Sequence, residues 1–263
     1  MIETPDEVRS VPVARQVEMH PAVGVLPAVQ SLLYVLVVSL FLMTFTVQPI
    51  RIPSESMEPT LLVGDFLLLD KQAAGGGGGV MPPAGIGRGD VVVFHDPVDD
   101  PSIHLVKRVI GLPGDRIHLR DGVVYRNGAA LKEDYAVYRR SGRDVFRDDF
   151  PSLRTMDPGV NPNWWIQLRT LARDGEVTVP ADSYFVMGDN RNNSEDSRYW
   201  GFVPRQAIVG KPVMIYFSWK QPGDDELPAG VANQTMVKSV QTGSMSGGRP
   251  DFARWDRTFR VIH

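Results

Sequence analysis

Cysteine is absent from the 263 residues, and histidine occurs only five times, spread along the chain. The chain therefore has no disulfide frame, thiol nucleophile or thiolate metal site, and too few soft ligands in one place to call for a metal or cofactor. A nucleophile in this protein has to be an oxygen or a lysine nitrogen. Excess positive charge is also lacking: the formal net charge is -3, with Lys and Arg scattered, so nucleic acid is excluded as a partner. The five consecutive glycines Gly75–Gly79 are not followed by the Gly-Lys-Ser/Thr ending of a phosphate loop, which removes a nucleotide site. Residues 72–88 read instead as a flexible loop.

Charge is missing altogether from Pro21 to Ile50. Residues 26–48 are mostly Leu, Val, Phe and Met, and about 20 such residues match a hydrocarbon core of about 30 Å. A removable leader would have a shorter apolar region and a more basic front. A permanent transmembrane anchor is expected, with residues 1–25 as a cytoplasmic segment; a buried core helix is the alternative, given Ser31, Tyr34, Ser39, Thr44 and Thr46.

Beyond the anchor, runs such as DVVVFHD, IHLVKRVIGL and KPVMIYFSW are rich in Val, Ile, Phe and Tyr, and Asp-Gly and Asn-Gly pairs separate several of them. These are the marks of hairpins in a mainly β, antiparallel domain. The expected order is a core over 49–119, a second β lobe or insertion over 120–180, and the core resumed over 181–220. A flexible Gly/Pro/Ser/Gln segment over 221–250 and a C-terminal strand over 251–263 follow.

Three clusters carry candidate chemistry. In RIPSESMEPT, Pro53 biases its neighbour toward extended backbone, which puts Ser54 and Ser56 on one face and Glu55 on the other. Taken alone, Ser-x-Ser is equally an ordinary turn or cap. In HLVKRVIGLPGD, strand alternation gives Lys107 the apolar neighbours Ile103, Leu105 and Val109 and sends Arg108 to the opposite side. A lysine base needs its pKa lowered toward about 7–8, which apolar surroundings supply. A sheet-edge lysine reaching water and a base role for His104 stay open. In YFVMGDNRNNSEDSRYWGFVP, a strand runs into a dense polar loop; Arg191 falls where a calcium loop needs an oxygen, so an ion-paired loop is preferred to a metal site.

The blocks IPSESMEPTLLVGD, RGDVVVF, KRVIGLPGD and GDNRNNSEDSRYWGFVP stand in the order found in bacterial type I signal peptidases. The sequence resembles this family of membrane-bound serine proteases, which remove signal peptides from exported proteins. The resemblance implies a fold of two antiparallel β-sheet regions behind one N-terminal transmembrane helix. It also implies Ser56 as nucleophile, Lys107 as general base, and the Ser54 hydroxyl with the Ser56 N–H as oxyanion hole. Ser194 is then expected to hydrogen-bond the Lys107 amine, Asp196 to pair with Arg198, and Asp189 with Arg108. Shallow walls for small substrate residues at -1 and -3 are sought among Ile50, Ile52, Pro53, Met57, Leu61, Leu105 and Val106.

Implied partners are secretory preproteins, membrane lipid and a neighbouring export translocon, with the catalytic body on the extracytoplasmic side of a bacterial cell membrane. Two departures stand out: Glu55 where many relatives have Gly, and residues 138–173, which match no family block. A self-cleaving Ser/Lys protease and a non-enzymatic membrane-tethered β scaffold remain the other readings.

Overall fold

A computed structural model describes residues 25–45, 47–71, 85–98, 100–139, 142–154, 156–220 and 252–262. Most of the glycine loop, the segment 221–250 and the first 24 residues lie outside them. The chain divides into two compact units, Met1–Phe41 and Leu42–His263.

The first unit contributes most of α1 (Val25–Phe45), a 21-residue helix without a charged side chain. Pro27 sits in its first turn, where backbone N–H groups have no intrahelical partner. Its side chains are exposed from Val25 to Leu40. Among the described residues no helix is long and apolar enough to cross a membrane.

The second unit holds, in chain order, β1 (Val47–Arg51), β2 (Asp65–Asp70), β3 (Val91–His95), β4 (His104–Gly111), β5 (Arg116–Arg120), β6 (Val123–Arg126) and β7 (Ala129–Ala130). The helices α2 (Val145–Asp148) and α3 (Pro162–Leu171) precede β8 (Ala172–Arg173), β9 (Glu176–Thr178) and β10 (Ser183–Met187). Then come α4 (Ser197–Trp200), β11 (Val203–Pro204), β12 (Ile208–Ser218) and β13 (Arg260–Val261). One sheet has eight strands, in the order β1-β2-β12-β3-β4-β10-β11 with β13 also on β12; the other has five, β7-β6-β5-β9-β8. The fold is mainly β with two antiparallel sheets.

The five-stranded sheet is built from tight hairpins. Asp121-Gly122, Asn127-Gly128 and Asp174-Gly175 all have positive φ at both positions, the backbone of two-residue turns whose twist suits the flanking strands. Residues 162–171, within the stretch read as a second β lobe or insertion, are helical. Asn161 accepts the N–H groups of Asn163 and Trp164, Pro162 occupies the first turn, and Trp164 and Leu168 bury one face.

Strand β4 is the hinge of the packing. Val106 joins Ile52, Met57, Leu61, Leu67 and Leu69 in one core cluster; Val109 joins Val92, Phe94 and Val186 in a second. Ile110 reaches a third, with Trp164, Leu168 and Phe185. Each such side chain stabilises the fold by about 1.5–3 kcal/mol relative to exposure. A strand gripped by three clusters holds its register, and with it the directions of Lys107 and Arg108.

Candidate active site

The loop before β2 presents the serines. Ser54 is extended (φ -129°, ψ 155°), but the chain then makes a single 3-10 turn over Glu55–Met57. The expected continuation of extended backbone is therefore corrected: the turn forms because Met57 and Leu61 must both reach the core, and the Leu61 N–H closes on the Met57 carbonyl at 2.9 Å. The two hydroxyls still meet, with Ser54 Oγ 3.3 Å from Ser56 Oγ. Ser56 is buried and Ser54 exposed. The Glu55 carboxylate accepts from Asn193 Nδ2 at 3.0 Å and lies 3.4 Å from Arg139 Nη1.

Lys107 sits in the middle of β4, opposite Val92 on β3, and is 4 % exposed. Burial lowers its pKa from 10.5 to about 8; Asp196, Glu195 and Asp189 pull it up through space, and Arg198 pushes it down. Lys107, Ser54, Ser56, Leu105 and Ser194 line one cavity of about 860 Å³. His104, the other candidate base, packs against His95 with the rings tilted by 43° and 4.8 Å between centroids, and is not among the cavity's lining residues. Its pKa is lowered by burial first and by His95 second.

The loop after β10 supports both groups. Asp196 is fully buried and accepts from Arg198 Nε and Nη2, both at 2.8 Å, from the Gly188 N–H at 3.1 Å and from Ser194 Oγ at 2.9 Å. Burial pushes the Asp196 carboxyl up, but the charge and hydrogen bonds of Arg198, with the charge of Lys107, outweigh it and hold the pKa below its ordinary value. The Ser194 hydroxyl donates its proton to Asp196, which leaves its lone pairs as acceptors. Asp189 takes Arg108 Nε and Nη2 at 2.8 Å each, and Thr60 Oγ1 at 2.6 Å. The Arg108 guanidinium carbon lies over the Tyr135 ring, 4.1 Å from its centroid.

Gly188 is the closest joint between these parts. A Cβ there would lie 2.3 Å from Ser194 Oγ and 2.5 Å from the Ser56 carbonyl oxygen. Glycine is what permits that approach.

Of the residues sought as substrate walls, Leu105 lines the cavity. Ile52, Met57, Leu61 and Val106 are packed into the core, Ile50 lies against them, and Pro53 is exposed. Sequence reasoning assigned no role to Asn190, which grips the backbone of Glu55 and Ser56, or to Glu133, which holds Arg191 through two contacts of 2.7 Å. Asn190 stood inside the polar block as a visible signal; Glu133 had none.

Paired hydroxyls and a buried amine of lowered pKa, gathered in one cavity of a mainly β body, are suited to acyl-transfer hydrolysis, the chemistry of a serine-type hydrolase. A family profile described as signal peptidase, peptidase S26, matches residues 25–219. The chain belongs to that peptidase family. It is 37% identical over 220 residues to a signal peptidase I of Pseudomonas aeruginosa, covering 76% of this chain and 75% of the relative. It is 36% identical over 218 residues to the signal peptidase I of Pseudomonas fluorescens, with 76% and 75% covered. Against the signal peptidase I of Aquifex aeolicus the identity is 34% over 223 residues, covering 73% of this chain and 84% of the relative.

Proposed function

We propose that the protein is a membrane-anchored type I signal peptidase that cleaves N-terminal signal peptides from secretory preproteins, with Ser56 as nucleophile and Lys107 as general base. The observation that carries this reading is the Lys107 amine, buried at the wall of the cavity that also holds Ser56, with a pKa of about 8. An ordinary lysine at 10.5 is almost wholly cationic near neutrality; this one is neutral in about a tenth of molecules at pH 7.

In the proposed reaction the neutral amine takes the Ser56 proton and Oγ attacks the scissile carbonyl carbon. The oxyanion is held by the Ser56 N–H and the Ser54 hydroxyl, the ammonium returns its proton to the leaving amine, and a water activated by the same amine releases the acyl group. Ser194, Asp196 and Arg198 fix the surroundings of the amine, and Asp189 with Arg108 fixes the strand that carries it. The substrate binds extended along a sheet edge, small residues at -1 and -3 resting on apolar walls to which Leu105 contributes.

Helix α1 is read as the single transmembrane anchor: its 21 uncharged residues span about 30 Å at 1.5 Å per residue. The catalytic body then lies on the extracytoplasmic side of the bacterial cell membrane, near lipid and the export translocon. Ser56→Ala or Lys107→Ala is expected to fold, enter the membrane and leave a preprotein uncut in an in vitro cleavage assay. Normal processing by either variant would refute the assignment.

A further inference from the structure

We infer that Asn190 is a positioning residue that fixes the orientation of the oxyanion-binding peptide, an inference that rests on the proposed roles of Ser56 and Ser54. Asn190 Nδ2 donates to the Glu55 carbonyl at 3.2 Å, and the Asn190 backbone N–H donates to the Ser56 carbonyl at 3.0 Å. The Glu55 carbonyl and the Ser56 N–H are the two ends of a single planar peptide unit and point in opposite directions. Holding the carbonyl therefore sets where the N–H points. It also polarises the peptide, strengthening the N–H as a donor. The second bond holds the next peptide unit, so both units flanking the Ser56 Cα are pinned by one residue from a loop 134 positions away in the chain.

The rest of the Asn190 side chain accords with this role. The residue is 1 % exposed, and its Oδ1 is a buried polar atom without a hydrogen-bond partner among the described residues. A buried acceptor left idle lowers stability. What an asparagine contributes here is its donor half, directed at Glu55. The same carbonyl also accepts the Glu58 N–H at 3.1 Å within the 3-10 turn, so Asn190 is the second of two donors on it and the one that comes from outside the turn. Rotation of this peptide would break both bonds and turn the N–H away from the oxyanion.

The test uses the full chain in detergent micelles with a cleavable signal-sequence peptide, and compares Asn190→Ala, Asn190→Asp and Ser56→Ala. Both Asn190 variants keep the backbone bond to Ser56. The expected result is a fall in kcat of about 100-fold or more, as for loss of an oxyanion donor, with KM within about twofold. A peptide aldehyde, whose adduct with a serine carries an oxyanion, should weaken in parallel with kcat/KM. An uncleavable peptide should bind as before, and the pH at which activity levels off should stay put, because Lys107 is untouched. Wild-type kcat in either variant overturns the inference. So does a loss of kcat matched by an equal loss of uncleavable-peptide binding or by a shifted pH profile, since either reports general damage to the site. If neither variant folds, hydrogen exchange of the Asn190 side-chain amide in the wild-type protein decides: slow exchange supports the bond to Glu55, and exchange at the rate of a free amide overturns it. Ser56→Ala separates the layers. Activity in Ser56→Ala sinks the proposed function itself, whereas an inactive Ser56→Ala beside a fully active Asn190→Ala sinks only this inference.

Discussion

Lys107 has two consequences that can be measured apart. Its folded pKa of about 8 lies below the usual 10.5, so between those pH values the unfolded chain binds more protons than the folded one. Stability therefore rises with pH across that window, and below it the buried amine costs its full amount, about 3 kcal/mol from the difference in pKa. Lys107→Met should raise the free energy of unfolding at pH 7 by an amount of that order, with the gain shrinking toward pH 10; denaturant titrations at the two pH values check it, and a gain independent of pH would contradict the assignment. Catalysis runs the other way in the wild type. Activity on a peptide should climb about tenfold per pH unit below about 8 and level off above it, because only the neutral amine is a base. Ser54→Ala should leave this profile in place while lowering kcat by about 10²–10³, the usual loss for one oxyanion donor. An unchanged rate would remove Ser54 from the hole.

At the level of elements, the loop between β10 and α4 packs on the serine turn, and Gly188 is where its backbone comes close to the Ser56 carbonyl. In Gly188→Ala the new Cβ would meet the Ser56 carbonyl at 2.5 Å and the Ser194 side chain at 2.3 Å, so the turn or the loop has to move by several tenths of an ångström. A displacement of that kind costs about 100-fold in rate, and kcat/KM beside a melting curve checks it; a variant with unchanged kcat/KM would show the joint to be slack. The same elements show what could be read in advance. Strands β3, β4 and β12 stood out because their β-branched and aromatic residues have few other uses, and the Asp-Gly and Asn-Gly turns marked hairpins because both positions need positive φ. Helix α3 was obscured because only Trp164 and Leu168 are buried on it, too few to show a helical period, although Asn161-Pro162 is a start signal. The proposed pair Ser56 and Lys107 was singled out by the order of four blocks, their own surroundings having left other readings open. Asn190 was visible as a member of the polar block, but not its role, since nothing in a residue type tells which distant backbone carbonyl a side chain will reach.

For the whole molecule, the division into units falls at Phe41/Leu42, within α1, and the cavity residues all lie in the second unit. Both sheets and the three core clusters of the described residues belong to the second unit. If α1 is an anchor and no more, its contribution to rate is to hold enzyme and membrane-borne substrate on one surface, which raises their effective concentration without a new contact. A chain reduced to residues 42–263 should then cleave a short soluble signal-sequence peptide with kcat within a few-fold of the full chain. On a preprotein embedded in vesicles the same truncated chain should be slower by 10-fold or more, and the full chain alone should float with the vesicles in a density gradient. Equal rates on the embedded preprotein, or a full chain that stays out of the vesicle fraction, would contradict the anchoring role. A truncated chain inactive on the soluble peptide would mean instead that the first unit takes part in shaping the site.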